Sequence, residues 1–77
     1  MKYALLVLEK ESGEPIHSFM KKLRSIEGVL DAYVVYGRFD IVAFIKGNSD
    51  TTLKKKVSEI SQLKGVAWVE TYIDATI

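Results

Sequence analysis

The sequence predicts an α+β fold of element order β-α-β-β-α-β, with a four-stranded antiparallel sheet carrying two helices on one face. Three observations lead there. Apolar residues fall into four runs of strand length and two stripes of helical spacing, in that order. The stretch Ile26-Glu27-Gly28-Val29 returns as Leu63-Lys64-Gly65-Val66, and the same offset lays the first strand on Ile41–Ile45, so the chain reads as two βαβ units in tandem. At mid-chain, Tyr36-Gly37-Arg38-Phe39-Asp40 separates two runs rich in β-branched and aromatic residues, the pattern of a hairpin tip.

Residues 3–8 are apolar at both odd and even positions, as in a strand covered on both faces. Ser12-Gly13-Glu14-Pro15 starts a helix, with proline at the first helical position, where its missing N–H is harmless. Ile16, Phe19, Met20, Leu23 and Ile26 form the buried stripe of that helix, and Gly28 closes it as a left-handed cap. The hairpin runs from about Val29 to Lys46, with Gly37-Arg38 as a type II′ turn that sets Tyr36 opposite Phe39, Val35 opposite Asp40 and Val34 opposite Ile41. Ser49 or Asp50 caps a second helix marked by Leu53, Val57, Ile60 and Leu63, which Gly65 ends. Val66 to Ile73 is the fourth strand, with Glu70 its one charge. Right-handed crossovers put both helices on the same side of the sheet, the ferredoxin-like arrangement.

Seventy-seven residues make one domain, 1–77, and a chain this short buries only roughly 60–65 % of its unfolded surface. That leaves little room for a deep private active site. There is no cysteine, which excludes disulfides, thiolate metal sites and cysteine nucleophiles. The apolar start is too short for a signal peptide, and Glu9-Lys10-Glu11 follows it without a small-residue cleavage site, so a cytoplasmic protein is expected, with no membrane attachment. Eleven basic against ten acidic residues leave a net charge of +1, too little for a phosphate-backbone binder working by counterion release. Phe39-Asp40-Ile41-Val42-Ala43-Phe44 faintly echoes the signature strand of an RNA-recognition motif, but Asp40 stands where a small residue should let RNA approach and Ile41 replaces a stacking aromatic. Direct nucleic-acid binding is not expected.

Two helices cover one sheet face, yet the strands are apolar on both. The uncovered face would exceed the apolar area that monomers normally expose, so a second copy packed sheet on sheet is expected, with closed higher assemblies open to it. Tyr36, Phe44, Trp68 and Tyr72 are the expected interface residues.

Asp40 shares a face with Tyr33, Val35, Val42 and Phe44 in the proposed register, and a carboxylate there needs a partner. It either accepts from a ligand ammonium group or pairs with Arg38, a lysine or turn N–H groups. His17 is the lone histidine, on the first helix; it makes neither a metal site nor a triad and reads as a surface residue. Lys21, Lys22 and Arg24, and Lys54-Lys55-Lys56, read as solvated helix faces. Asp31, Asp40, Glu70 and Asp74 are the acids of the strand regions, and nothing in their spacing brings two together. No nucleophile–base pair or phosphate loop occurs. Neither catalytic residues, nor a metal, nor a cofactor is indicated.

Gly28-Val29, then Gly37-Arg38-Phe39-Asp40 followed by Ile41-Val42, then Gly65-Val66 and Thr71 before Tyr72-Ile73 resemble, as an ordered set over essentially the whole chain, the effector-binding RAM domain of the leucine-responsive regulatory protein/AsnC family. The resemblance implies a non-enzymatic fold that dimerises through its sheets, dimers that assemble into rings such as octamers, and a small effector, usually an amino acid, held between dimers. It implies that the Gly37-Arg38-Phe39-Asp40 turn lines the effector site, Asp40 holding the α-ammonium, backbone N–H groups near Gly37 the carboxylate, and Thr71 or a neighbouring subunit the side chain. Family members carry an N-terminal helix-turn-helix domain; this chain begins with Met1 on its first strand and resembles the stand-alone form, expected to act in transcription through full-length relatives or by buffering the effector. Val69 stands at the place of the family's first threonine, removing a hydroxyl. The other readings are a ligand-free oligomerisation module and a small enzyme of the dimeric α+β-barrel type.

Overall fold

The computed structural model describes residues 1–73, in the order β1 (Lys2–Lys10), α1 (Ile16–Arg24), β2 (Val29–Val34), β3 (Ile41–Gly47), α2 (Asp50–Ser61) and β4 (Val66–Ile73). The strands form one sheet in the order β2-β3-β1-β4, with every neighbouring pair antiparallel. This is the expected ferredoxin-like arrangement. It puts β1 and β3 inside and leaves β2 and β4 as edges.

One face of the sheet is sealed by the helices. Ala4, Leu6 and Leu8 of β1 alternate inward beside Ile41, Ala43 and Ile45 of β3, and meet Phe19, Met20 and Leu23 of α1 and Leu53 and Ile60 of α2. The strand period of two and the helix period of 3.6 therefore point the same set of side chains at one core. Each fully buried Leu, Ile or Phe contributes about 1.5–3 kcal/mol relative to exposure.

Helix boundaries depart slightly from expectation. Pro15 is the N-cap of α1 rather than its first helical residue, extended at φ −63° and ψ 125°, and the helix ends at Arg24, before Ile26. Its last turn carries Lys21, Lys22 and Arg24, cations suited to the negative end of the helix dipole. Ser49 caps α2, its hydroxyl accepting from the Thr52 N–H at 3.2 Å. Gly28 and Gly65 do not cap the helices directly. Each is the third residue of a turn that follows one, closed by Val29 N–H to the Ile26 carbonyl at 3.1 Å and by Val66 N–H to the Leu63 carbonyl at 3.2 Å. Their φ values of +98° and +103° are why glycine stands in both copies of the repeat.

The β2–β3 register is the expected one, with Val34 opposite Ile41 and Tyr33 opposite Val42. The tip is wider than expected. The ladder stops at Val34, Val35 N–H donates to the Asp40 carbonyl at 2.9 Å, and Tyr36 is fully exposed and does not pair with Phe39. Gly37 has a φ of +141°, far from the value near +60° that a type II′ turn needs.

The second face of the sheet is open. Tyr3, Leu5 and Val7 of β1 lie beside Phe44 and Val42 of β3 and beside Tyr72 and Glu70 of β4, without a helix over them. The Tyr33 and Phe44 rings meet edge to face at 6.4 Å. The face is less uniformly apolar than the sequence pattern predicts: its two outer strands each carry an acid beside a tyrosine, Asp31 with Tyr33 and Glu70 with Tyr72.

Candidate functional site

Asp40 occupies the junction where the hairpin tip meets the end of β1. Its N–H donates to the Leu8 carbonyl at 2.9 Å, and its carboxylate Oδ2 accepts the backbone N–H of Lys10 at 2.7 Å. Lys10 lies at an irregularity of β1, where the pairing with β4 slips between Glu9 and Lys10. Asp40 is half-buried there. Of the protein partners the sequence offers, neither Arg38 nor a lysine ammonium takes this carboxylate; the donor is a strand amide from a distant part of the chain. Among the described residues Oδ1 makes no hydrogen bond.

Gly37 forms the open side of this turn, since a Cβ added there would meet nothing within 4 Å. Arg38 projects from it into solvent, its guanidinium 5.3 Å from the centre of the Phe39 ring and its Nη2 4.0 Å from Glu70 Oε1. Gly37, Arg38, Phe39 and Asp40 are thus one continuous surface. Thr71 is not part of it. It lies on β4 opposite Leu6, on the helix side of the sheet, while Asp40 lies at the other end of β1 beyond Leu8. Within one copy the two are separated by the width of β1 and several residues along it. Val69 shares the Thr71 face and packs against the core, so the side chain at the family's first threonine position is partly structural.

A second polar feature joins residues that the sequence names only separately, as interface aromatics and strand acids. On the open face, Glu70 accepts from the Tyr72 hydroxyl at 2.8 Å through Oε2 and from the Trp68 indole N–H at 3.3 Å through Oε1. These bonds, the phenol first, hold the Glu70 carboxyl below the usual range, with Arg38 adding a smaller pull. The Tyr72 phenol is pushed above its ordinary value by the same bond. Asp31 repeats the arrangement on β2. It accepts from the Tyr33 hydroxyl at 2.6 Å and from the Ala32 N–H at 2.8 Å, which lower its carboxyl pKa in that order and raise that of Tyr33. The signal was present in both cases: acid and tyrosine two apart on a strand share a face. Trp68, Tyr72 and Phe44 stand on that face, half-exposed.

A groove of about 530 Å³ runs between α1 and β2, lined by Ile16, His17, Met20, Lys21, Arg24 and Val34. It is on the helix side of the sheet, and its Val34 wall is the last ladder residue before the hairpin tip. Among the described residues no three His, Cys, Asp or Glu side chains gather where a metal ion could be held. Asp31 and Glu70 lie on opposite edge strands, and Asp74 lies outside the described residues.

A family model described as the Lrp/AsnC ligand binding domain matches residues 3–74. The HTH-type transcriptional regulator LysM of Saccharolobus solfataricus is 27% identical over 63 residues, which cover 82% of this chain and 44% of the relative. The chain therefore spans less than half of that curated relative. The crystal structure of FFRP-DM1 superposes with a TM-score of 0.88 at 25% identity, covering 96% of this chain and 99% of the other. A feast or famine regulatory protein from M. tuberculosis, complexed with L-methionine, shares the fold at a TM-score of 0.82 and 18% identity, covering all of this chain and 52% of its own.

Proposed function

We propose, because the chain belongs to the family of Lrp/AsnC ligand-binding domains, that it binds an amino acid between copies of itself and takes part in the regulation of transcription. The family and the regulators it resembles are not enzymes. The observation that carries the reading is the Asp40 carboxylate, fixed through Oδ2 by the Lys10 amide and lying beside the open Gly37 turn. A carboxylate with one oxygen held by a strand amide is already oriented, so little entropy is lost when the other oxygen takes a ligand ammonium. Backbone N–H groups near Gly37 receive the ligand carboxylate. Thr71 comes to the ligand from another copy, because its own copy places it on the far side of β1. The M. tuberculosis fold neighbour complexed with L-methionine supports the class of ligand.

The same reading has the 77 residues acting in the cytoplasm as one ligand-binding unit, a homodimer through the open sheet faces and a ring of dimers around it, with DNA contact supplied by full-length relatives in mixed assemblies. Among the described residues no helix is long and apolar enough to cross a membrane.

A thermal-shift screen of the twenty standard amino acids at millimolar concentration tests it. A ligand at a hundred times its Kd stabilises by about 2.7 kcal/mol, so at least one amino acid is expected to raise the melting temperature. Asp40→Asn keeps an acceptor for Lys10 but removes the charge, and is expected to abolish the shift while leaving the ligand-free melting temperature nearly unchanged. If none of the twenty shifts the wild type, the ligand-free oligomerisation module replaces this reading; the open apolar face already supports assembly without any effector.

A further inference from the structure

The groove between α1 and β2 has two kinds of lining. Ile16, Met20 and Val34 give it apolar walls, while His17, Lys21 and Arg24 give it nitrogen donors, and no carboxylate lines it. Helical spacing produces this directly: residues 16 and 20 lie one turn apart on one stripe, and residues 17, 21 and 24 on the stripe beside it. The helix dipole favours cations in the last turn of α1, but it does not choose the side on which they stand.

The internal repeat separates what the fold needs from what it does not. At the offset that lays Ile26-Glu27-Gly28-Val29 on Leu63-Lys64-Gly65-Val66, Ile16 and Met20 correspond to Leu53 and Val57 of α2, so the apolar half of the lining is present in both copies. His17 corresponds to Lys54, basic in both, but Lys21 and Arg24 correspond to Ser58 and Ser61. Ion pairing sets the same two residues apart. Lys2 pairs with Asp50, Lys22 with Glu14 and Arg38 with Glu70, whereas among the described residues neither Lys21 nor Arg24 pairs with an acid. Arg24 is anchored instead by its Nη2, which donates to the Ala32 carbonyl at 2.7 Å and fixes the guanidinium at the groove. Asp31, on which Arg24 exerts a small pull, is already engaged by the Tyr33 hydroxyl and the Ala32 N–H and does not line the groove.

We infer that the groove between α1 and β2 is a binding site for a small carboxylate with an apolar tail and no amino group. Arg24 and Lys21 take the carboxylate, the anchored guanidinium presenting a planar fork to a planar anion. Ile16, Met20 and Val34 take the tail, the flexible thioether of Met20 adjusting to its shape. The volume of about 530 Å³ lies in the range of small-molecule pockets, about 300–1,000 Å³. A free amino acid is the wrong ligand here, because its ammonium would be brought beside two cations with no carboxylate to offset them. The site is therefore separate in position and in chemistry from the Asp40 turn, and does not rest on the reading of that turn.

Hexanoate is the probe, titrated into the full chain at neutral pH and followed by amide and methyl NMR. The expected result is a saturable shift of the Met20 methyl and of the Lys21 and Val34 amides, with affinity rising by up to about fourfold for each methylene added from butanoate to hexanoate. Acetate, which has the charge without the tail, hexan-1-ol, which has the tail without the charge, and leucine should leave these signals in place. Lys21→Gln with Arg24→Gln should weaken hexanoate by about tenfold or more. Lys21→Gln alone, which breaks no bond of the fold, should weaken it severalfold and serves if the double variant does not fold. Equal shifts from acetate mark an adventitious ion only and overturn the proposal. So do equal binding of leucine, shifts centred on Gly37 to Asp40, an unchanged affinity in Lys21→Gln, or no response at all, the result expected of a groove that another copy covers. Failure of every amino acid to bind at Asp40 would leave the hexanoate result untouched, since the two are read at different residues.

Discussion

At the scale of single residues, the tyrosine–carboxylate pairs of the open face make the sharpest statements about ionisation. Glu70 sits below the usual carboxyl range because the Tyr72 hydroxyl and the Trp68 indole donate to its charged form. A group whose folded pKa is depressed stabilises the fold above its unfolded pKa, and loses that contribution as pH falls through the lower folded value. Tyr72 is the mirror case: its pKa is raised, chiefly by the bond to Glu70, so its contribution is complete below the ordinary phenol value of about 10 and is lost as pH rises through the raised one. In wild type the Tyr72 phenol is expected to titrate above the ordinary range, followed by phenolate absorbance or by NMR of the ring. Glu70→Gln keeps a hydrogen-bond acceptor but removes the charge, and should bring Tyr72 back toward its ordinary value; an unchanged midpoint would show that the pair does not exist in solution.

Among the elements, the repeated turns after the two helices show how far a sequence can be read and where reading stops. Gly65 resists replacement for two separate reasons. Its φ is +103°, and an added Cβ would lie 2.6 Å from Cγ and 2.9 Å from Cδ of Glu14. Glu14 cannot simply swing away, because Lys22 holds it at 3.3 Å while also reaching the Lys64 carbonyl at 3.4 Å. Gly13, with φ +88° and nothing within 4 Å, carries the backbone cost alone. Positive φ costs a non-glycine residue roughly 1–2 kcal/mol. Gly13→Ala should lose about that much in urea denaturation, and Gly65→Ala about 1 kcal/mol more, the price of displacing Glu14. Adding Glu14→Ala to Gly65→Ala should return most of the excess; if it does not, the clash is with the backbone and not with that side chain. The sequence shows that glycine is required in both turns, since Ile26-Glu27-Gly28-Val29 and Leu63-Lys64-Gly65-Val66 repeat, but it does not show Glu14 beneath the second. The hairpin tip has the same limit. Apolar alternation sets the register of β2 on β3, because a slip of one residue would turn Ile41, Ala43 and Ile45 out of the core. The width of the tip is set by Asp40 bonding to Leu8 and Lys10 of β1, a contact across the whole hairpin that no local turn rule contains.

For the whole molecule, the two sheet faces differ in how far a single copy covers them. The helix face needs no partner: Leu6, Leu8, Ile41 and Ile45 are fully buried in a single copy. The other face presents Leu5, Val7, Val42 and Phe44 along its middle and Trp68 and Tyr72 at one side, with no helix of its own copy over them. The acid–tyrosine pairs lie on the outer strands, where a polar rim around a dry centre would form once two such faces met. Phe44 is the natural probe, since it stands on the inner strand β3 at 43% exposure and contributes little to the core of its own copy. A lysine there would place a charge at the middle of the proposed interface, where desolvation without a partner is costly. The wild type is expected to scatter with at least twice the 8.7 kDa of one chain, and Phe44→Lys to scatter as one chain with its circular dichroism intact. Leu30→Lys, a substitution of similar exposure on the edge strand β2, serves as the control and should leave the mass unchanged. An amino-acid thermal shift measured in parallel then separates two contributions. If the effector lies between dimers, the Phe44→Lys monomer loses the shift although Gly37, Arg38, Phe39 and Asp40 are all present, because the Thr71 that completes the site belongs to another copy; a monomer that keeps the shift would place the whole site within one chain.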